Sequence, residues 1–370
     1  MKRLAITIDP LRQSWNDIES LMIRAKSYGY TEVYFGLTVE DSFNGINMKE
    51  PYLKFLDYSN KNDWRIHANV SYDILQLAKI IKNDLTYFKD HHIDCLKLEF
   101  GFENNDLVSS LTHNLQGIII EDNASLQDDL IARLKNLQTK GNLKQYAATH
   151  NYYVRPDTGL SFDHCMMKTR LFKSLGVEVG IYVNSLASVP FLFPLGNGCC
   201  TMESHRYTSA LLSVSEVVAT GVYDTIGFGP LIPSDTELQD VSRITLCQTV
   251  EIPVYFVSGI DQDLKTNLLN TVFQSRSDQA AYLVRATQFR HHMHIEPFNC
   301  VNRERLSLTL DNTLSGKYEG EVQIALKYLP SQTYVNVIAQ VELSATKIVE
   351  LIHGGKTPFI LKEFSEGGSL

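Results

Sequence analysis

Short runs of β-branched and apolar residues alternate with longer amphipathic stretches through the first 230 or so residues, the pattern of βα units that build a parallel sheet. Eight runs are predicted as strands: Arg3–Asp9, Glu32–Leu37, Arg65–Val70, Cys95–Phe100, Gly117–Glu121, Gln145–Thr149, Glu178–Val183 and Tyr223–Gly227. Between them, helical spacing of apolar residues predicts helices over Asp17–Tyr28, Tyr72–Phe88, Ser125–Gln138 and Phe162–Leu175; in the first, Ile18, Leu21, Met22 and Ala25 share one face. Glycines stand where helices should stop, in Tyr28-Gly29-Tyr30, Lys140-Gly141 and Leu175-Gly176. Eight units in about 245 residues match the size of an α/β fold of the (β/α)8, TIM-like barrel type. A doubly wound open sheet is the rival, and no Gly-x-Gly-x-x-Gly follows the first strand to support it.

From Ile252 onward the texture changes to short strands with few helices: Ser307–Leu310, Glu321–Leu326, Tyr334–Val341 and Pro358–Leu361. The stretch Thr313-Leu314-Ser315-Gly316-Lys317-Tyr318 supplies hairpin turn chemistry. Two domains are therefore expected, a barrel over 1–250 and a small β-rich domain over 251–370, with a disordered tail at Glu366-Gly367-Gly368-Ser369-Leu370.

Composition narrows the function. The 370 residues carry 34 Lys+Arg against 42 Asp+Glu, a net charge of −8, and no basic run exceeds Lys2-Arg3. Nucleic acid is a poor partner for such a chain, because duplex binding needs a basic face that displaces counterions. No apolar run reaches the ~18 residues of a membrane span, and the five apolar residues before Asp9 are too few for a signal peptide. The six cysteines, Cys95, Cys165, Cys199, Cys200, Cys247 and Cys300, form no Cys-x-x-Cys pair. A reducing cytoplasm, no zinc site and no cofactor are expected. The cluster His291-His292-Met293-His294 has no carboxylate or Cys set at ligand spacing, so metal binding is not assigned to it.

In a barrel of this kind the active site lies at the C-terminal strand ends. Those ends are polar here: Asp9, Thr38, Asn69 with Ser71, Glu99, Glu121 with Asn123, His150 with Asn151, Asn184, and a loop bearing Glu203, His205 and Arg206. Glu99 interrupts an apolar strand where a charge needs a partner or a job; a structural ion pair is its bland reading. The loop from His150 to Ser161 gathers imidazole, amide, hydroxyl, guanidinium and carboxylate in His150, Asn151, Tyr152, Arg155, Asp157 and Thr158, a mixture suited to a polyhydroxylated anionic ligand. In Gly196-Asn197-Gly198-Cys199-Cys200-Thr201-Met202-Glu203-Ser204-His205-Arg206, Arg206 is a candidate anion clamp, and Glu203 is either functional or an acid at a helix start.

Together these segments resemble one family, the bacterial 6-phospho-N-acetylmuramidases, which pair a TIM-like barrel with a cyclophilin-like β-domain. The family's Asn-Phe-Tyr-Pro-Arg-Pro-Glu-Thr-Gly-Leu loop is similar to Asn151-Tyr152-Tyr153-Val154-Arg155-Pro156-Asp157-Thr158-Gly159-Leu160, and its Thr-Leu-Glu-x-His-Arg segment to Thr201-Met202-Glu203-Ser204-His205-Arg206. Its Leu-Arg-Leu-Asp-Tyr-Gly-Phe strand resembles Leu96-Lys97-Leu98-Glu99-Phe100-Gly101-Phe102, with the acid one methylene longer. Farther on, Thr309-Leu310-Asp311-Asn312 with Gly316-Lys317-Tyr318-Glu319-Gly320-Glu321-Val322-Gln323-Ile324 resembles the family's second-domain run, and Arg276-Ser277-Asp278 with Arg285 matches in spacing. Two positions depart from the pattern: Asn69 replaces an Asp of the third-strand Asp-Ile-Ser-Pro motif, and Phe228 stands where an Ile-Gly-Asp places an acid.

The resemblance implies cleavage of a 6-phosphorylated amino-sugar disaccharide, N-acetylmuramic acid 6-phosphate–N-acetylglucosamine, in cell-wall recycling. Glycoside cleavage needs one carboxyl group as acid and another as nucleophile or base. Glu99 and Glu203 are the expected pair, with Asp157 as substitute. The expected substrate-binding set is Asp9, Asn69, Ser71, Asn123, His150, Asn151, Tyr152, Arg155, Thr158, His205 and Arg206, joined from the second domain by Arg303, Arg305, Asn312, Tyr318 and Glu321. The partner is a small phosphorylated sugar, and a homo-oligomer is possible. Two alternatives stand beside this: a sugar-phosphate lyase or isomerase, in which Lys97 sits too deep for a Schiff base, and a sugar-phosphate-binding protein that has lost catalysis through the changes at Asn69 and Phe228.

Overall fold

The computed structural model describes residues 2–126, 129–188, 191, 198–355 and 357–364. The chain forms two compact units, Met1–Ala210 with Val222–Leu246, and Leu211–Gly221 with Cys247–Leu370.

In the first unit, β1 (Arg3–Thr7), β2 (Glu32–Gly36), β3 (Arg65–Val70), β4 (Cys95–Leu98), β5 (Ile119–Asn123), β6 (Tyr146–Thr149), β7 (Glu178–Val183) and β8 (Thr225–Phe228) pair in parallel and in sequence order. Pairing of Arg3 with Thr225 closes them into a barrel. All eight expected runs are barrel strands, with ends shifted by a few residues: β1 stops at Thr7, and β5 runs on to Asn123.

The helix Trp15–Ser27 starts where the Ser14 side chain accepts from the Asp17 amide, and it buries Ile18, Leu21, Met22 and Ala25 as expected. It stops before Gly29, whose φ of +88° is left-handed backbone that a Cβ resists. The helix expected over Tyr72–Phe88 is two helices, Tyr72–Leu77 and Thr86–Asp90. Lys79 and Lys82 between them take φ of +54° and +58°, which ends a right-handed helix whatever the apolar spacing. The third helix begins at Leu130, after the Asp129 cap, and the fourth covers Phe162–Ser174 after the Ser161 cap.

The barrel interior holds charge. His67 Nδ1 lies 2.9 Å from Glu121 Oε2 and its other nitrogen 3.6 Å from Glu32 Oε2, with all three side chains at most 3% exposed. Glu32 also meets Arg3 Nε at 2.6 Å and Arg65 Nη1 at 3.1 Å. The Tyr34 ring stacks on His67 at 4.1 Å and its hydroxyl donates to Glu121. Burial works against the imidazolium, yet Cys95, Glu32 and Glu121 around it raise the His67 pKa well above the usual range. Burial likewise opposes the Glu32 carboxylate, and the charges of His67, Arg3 and Arg65 bring it down to about 2.

In the second unit, β9 (Val250–Phe256), β10 (Leu283–Ala286), β11 (Ser307–Asp311), β12 (Val322–Ala325), β13 (Val335–Val341) and β14 (Phe359–Glu363) form one sheet in the order β10-β12-β11-β13-β9-β14. It is antiparallel except between β9 and β14. The four expected strands are present; β9 and β10 are additional. Pro253 inside β9 argues against a strand in sequence, since it removes a ladder donor, but here it pairs in register with Lys362. The expected hairpin segment is a 3-10 turn, Thr313–Tyr318, kinked at Gly316 and joining the antiparallel pair β11 and β12. The tail expected to be disordered lies outside the described residues.

Candidate active site

Lys97 and Glu99 are two residues apart at the end of β4, so they share one face of the strand. The Lys97 side chain is 1% exposed, and its ammonium donates to Glu99 Oε1 at 3.1 Å and to Asn151 Oδ1 at 3.0 Å. From the next strand, Asn123 Nδ2 donates to Glu99 Oε2 at 3.2 Å. Glu99 is thereby held by both oxygens while remaining 18% exposed. It borders a cavity of about 690 Å³ whose wall includes Asn69, Ser71, Lys97, Asn151 and Tyr152. The Asn69 side-chain oxygen Oδ1 is buried and has no hydrogen-bond partner among the described residues.

Asp9 closes the turn after β1. Its Oδ1 accepts from the Leu11 and Arg12 amides, and Oδ2 meets Arg12 Nη1 at 2.9 Å, with Arg12 itself 44% exposed. Burial raises the Tyr152 phenol pKa, and the charges of Cys199, Glu99 and Asp9 add to that rise.

The segments 151–160 and 198–206 are tied into one body. Bridges pair Tyr153 with Cys200 and Leu160 with Met202. The fully buried Arg206 donates from Nε and Nη2 to the two oxygens of Glu203, at 2.6 and 2.7 Å, and from its terminal nitrogens to the carbonyls of Tyr153, Gly198 and Arg155. That uses all five donors of a guanidinium. Glu203 answers by accepting from the Asp157 and Gly159 amides as well. The hydrogen bonds from Arg206, together with those two amides, lower the Glu203 carboxyl pKa to about 2. Gly159 has to be glycine, because a Cβ there would stand 2.6 Å from Glu203 Oε2.

Several expectations change on this geometry. Arg206 is a tie between loops whose donors are all engaged, and this corrects its reading as an anion clamp. Glu203 begins the 3-10 turn Glu203–His205, well before the helix Ala210–Thr220, so the alternative reading of it as an acid at that helix start does not hold. His150 is fully buried between Ser125 Oγ and Thr169 Oγ1, and burial with the charges of Lys168 and Lys97 lowers its pKa to about 3. It is a neutral core imidazole, which corrects its assignment to the ligand. His205 is buried in the same way, at 1% exposure. Arg155 and Asp157 are exposed on the loop, Asp157 at a left-handed φ of +65°, and the Thr158 hydroxyl donates to the Arg155 carbonyl. Ser71 precedes the helix Tyr72–Leu77 at the cavity edge. Phe228 is buried and stacks on Tyr30 at 6.5 Å, away from the cavity wall. Gly196 and Asn197 lie outside the described residues.

In the second unit, Glu321 is fully buried and pairs with Arg285 Nε at 2.5 Å and with Arg290, which also lies 5.0 Å from the Tyr318 ring. Burial and the Glu321 charge push the neighbouring Asp311 carboxyl up to about 7. Arg303 donates to the Pro330 carbonyl, Asn312 to Asn336 Oδ1 and the Thr333 carbonyl, and Arg305 pairs with Glu350 on the surface. Of the five second-domain candidates, Tyr318 and Glu321 are brought together around Arg290; Arg303 and Asn312 hold backbone and core, and Arg305 stands elsewhere. Sequence reasoning missed Arg290, and it weighed Lys97 only as a Schiff-base lysine too deep in the barrel, not as the partner that holds Glu99.

Among the described residues no cluster of three or more His, Cys, Asp or Glu is placed to hold a metal, and His294 instead contacts Glu296 and Glu319. No helix is long and apolar enough to cross a membrane.

Arg206→Lys is expected to loosen the tied loops. A lysine offers three donors without the planar fork, leaving carbonyls and one Glu203 oxygen unmatched, at a cost of about 1–3 kcal/mol. Hydrogen exchange at the Asp157 and Gly159 amides should quicken at least about tenfold, in line with that loss; unchanged protection would mean that the bridges alone hold the loops.

Comparison with known proteins agrees with this architecture. The solved structure described as an uncharacterized B. cereus protein is 23% identical, with a TM-score of 0.83, covering 98% of this chain and 99% of that one. A conserved protein from Enterococcus faecalis, of unknown function, is 21% identical with a TM-score of 0.68, over 98% and 96% of the two chains. At these identities the likeness establishes the fold. No curated protein matches the chain significantly. The family model for the N-terminal part of 6-phospho-N-acetylmuramidase matches residues 4–243, and that for the C-terminal part matches residues 250–362. The chain therefore belongs to the 6-phospho-N-acetylmuramidase family, glycosidases that act on a phosphorylated muramic sugar.

Proposed function

We propose that this protein hydrolyses N-acetylmuramic acid 6-phosphate–N-acetylglucosamine in the cytoplasm, as a step of cell-wall recycling, with Glu99 as a catalytic carboxylate. The observation that carries this reading is the Glu99 carboxylate, fixed by Lys97 and Asn123 on the wall of an open cavity at the barrel mouth. A carboxylate held by both oxygens is oriented before substrate arrives, which is what attack on, or proton transfer at, an anomeric centre requires. Asp9 is the second carboxylate of the proposal: it follows β1, the Leu11 and Arg12 amides and the Arg12 guanidinium orient it, and Arg12, 44% exposed, is shared with Asp41. Glu203, with two backbone amides and a buried guanidinium on its oxygens, holds the loop that carries Arg155 and Asp157 instead. Arg155, exposed on that loop, is the proposed reader of the phosphate, since a guanidinium fork matches its oxygens. A phosphate dianion does not cross a bilayer unaided, so enzyme and substrate belong in the compartment where the sugar is phosphorylated.

The test is sugar release from the phosphorylated disaccharide, run beside its unphosphorylated form and a 6-phosphoglucosamine analogue. Cleavage of the first about ten- to a hundredfold faster than the second is expected, because loss of a charge-assisted contact costs about 1.5–3 kcal/mol. Tight binding without cleavage would replace the hydrolase reading with that of a phosphosugar-binding protein.

A further inference from the structure

The second unit gathers cations around one exposed ring. Arg276 and Arg285 stand opposite each other, since the Arg276 amide donates to the Arg285 carbonyl at 2.8 Å and a bridge joins Ser275 to Ala286. Arg285 is also paired with Gln323 across β10 and β12, and Gln323 lies two residues from Glu321, so the three side chains share one face of the sheet. Arg290 reaches the same place from the segment after β10. A Cβ at Gly320 would stand 2.4 Å from the Phe289 carbonyl oxygen, so only glycine lets the turn bearing Tyr318 and Glu321 lie against the segment bearing Arg290.

Glu321 anchors both arginines. Arg285 Nε meets its Oε1 at 2.5 Å and Nη2 its Oε2 at 3.2 Å, and Arg290 Nη2 donates to that same Oε2. One guanidinium would neutralise the buried carboxylate; the second places two cations on one oxygen, a repulsion that the pairing alone does not require. Neither fork is used up. The Arg285 and Arg290 side chains are 24% and 23% exposed, and their Nη1 groups make no hydrogen bond among the described residues yet reach solvent, whereas Arg290 Nε is enclosed.

The Tyr318 ring, 39% exposed, lies 5.0 Å from the Arg290 guanidinium and 5.1 Å from the ammonium of the exposed Lys317. The other acids nearby are engaged. Asp278 takes Arg276 through both oxygens, and Glu319 accepts from the Ile295 amide and contacts His294. Burial and the Glu321 charge push Asp311 up to about 7, so it carries only part of a charge at neutral pH. Arg285, Arg290 and Lys317 are therefore three accessible cations against the one carboxylate of Glu321. A phosphate monoester satisfies them, because its oxygens match the open guanidinium N–H groups in charge-assisted bonds. A sugar ring attached to that phosphate would cover the face of Tyr318.

We propose that Arg285, Arg290, Lys317 and Tyr318 form a sugar-phosphate-binding site of the second unit, with the phosphate on the two arginine forks and the sugar ring against Tyr318. The site is defined by that unit's residues alone and needs no cleavage, so it goes beyond the hydrolase reading and stands or falls separately from it.

The test is fluorescence of the full chain carrying Tyr318→Trp, titrated with N-acetylglucosamine 6-phosphate, N-acetylglucosamine and inorganic phosphate, with the wild-type response of Trp15 and Trp64 subtracted. A saturable change is expected with the sugar phosphate, at a half-saturating concentration about tenfold or more below that of either other probe. Adding Lys317→Glu, a change at an exposed side chain outside the Glu321 pairing, should raise that concentration about threefold or more. Adding Arg290→Gln should raise it about tenfold or more. In wild type, without the reporter, the sugar phosphate should slow hydrogen exchange over residues 316–320 about threefold or more. No response in either the reporter or the wild-type exchange, equal responses to all three probes, or an unchanged half-saturation in Lys317→Glu overturns the site. Because no readout involves cleavage or a barrel residue, an inactive enzyme leaves this test intact, and failure here leaves the hydrolase reading intact.

Discussion

Glu99→Gln is expected to lower kcat on the phosphorylated disaccharide by about 10³-fold or more, the range seen when a positioned acid, base or nucleophile is removed. The substitution keeps size and removes the titrating group. A glutamine carbonyl still accepts from Lys97, but its amide nitrogen then faces the Asn123 nitrogen that donates to Glu99 Oε2, and two donors cannot satisfy each other. That mismatch costs about 1 kcal/mol of stability, far less than the loss of catalysis, so the variant should fold and bind. Binding of the uncleaved disaccharide, measured by calorimetry, is expected to stay within about threefold of wild type, as for a group whose contribution is made in the transition state. Full activity in Glu99→Gln would remove Glu99 from the mechanism.

His67→Leu should be the most destabilising single change in the barrel. The imidazolium stands between Glu32 and Glu121, and removing it leaves two buried carboxylates facing each other without it. Breaking a buried charge pair from one side typically costs about 3–5 kcal/mol. The pH dependence identifies the cause. His67 has a raised folded pKa, so its contribution is complete below its unfolded value of about 6.5 and is lost as pH rises through the folded one. Glu32 falls from 4.5 to about 2 on folding, so its contribution is complete above pH 4.5 and is lost as pH falls toward 2. In the variant Glu121 loses its nearest counter-charge and Glu32 keeps only Arg3 and Arg65, so both carboxyls shift toward protonation, and the deficit against wild type should shrink between pH 7 and pH 4 in urea denaturation. A deficit that stays constant over that span would assign the loss to packing against Tyr34 rather than to charge.

The strand pattern was readable because each barrel strand is apolar on the face that meets the helices, which period-2 runs record directly. Helix continuity through 72–88 was not, since the left-handed backbone at Lys79 and Lys82 overrides an apolar spacing that continues past it. Pro253 hid β9 by the ordinary rule that proline interrupts a sheet. At the site, Glu99 stood out as an acid in an apolar run, and its partner Lys97 lay in view two residues away. What a linear reading could not separate is charge that serves ligand from charge that serves fold. His150, Glu203 and Arg206 belong to a dense polar motif, and only the packing shows His150 sealed against Thr169 and Arg206 enclosed by carbonyls. Asn123 is unremarkable in sequence because its importance comes from Glu99 on the neighbouring strand, to which it donates.

Loops at the mouth of such a barrel are ordinarily independent, each free to lengthen or be exchanged while the strands below stay fixed. The union of segments 151–160 and 198–206 through Arg206 and Glu203 removes that freedom for two of the eight connections. Transplanting either loop alone from a relative with a different length would strand a buried guanidinium or leave amides without their acceptor. Changes of specificity in this region must therefore arise as paired exchanges of both loops, whereas the connections that frame Glu99 remain open to piecemeal redesign.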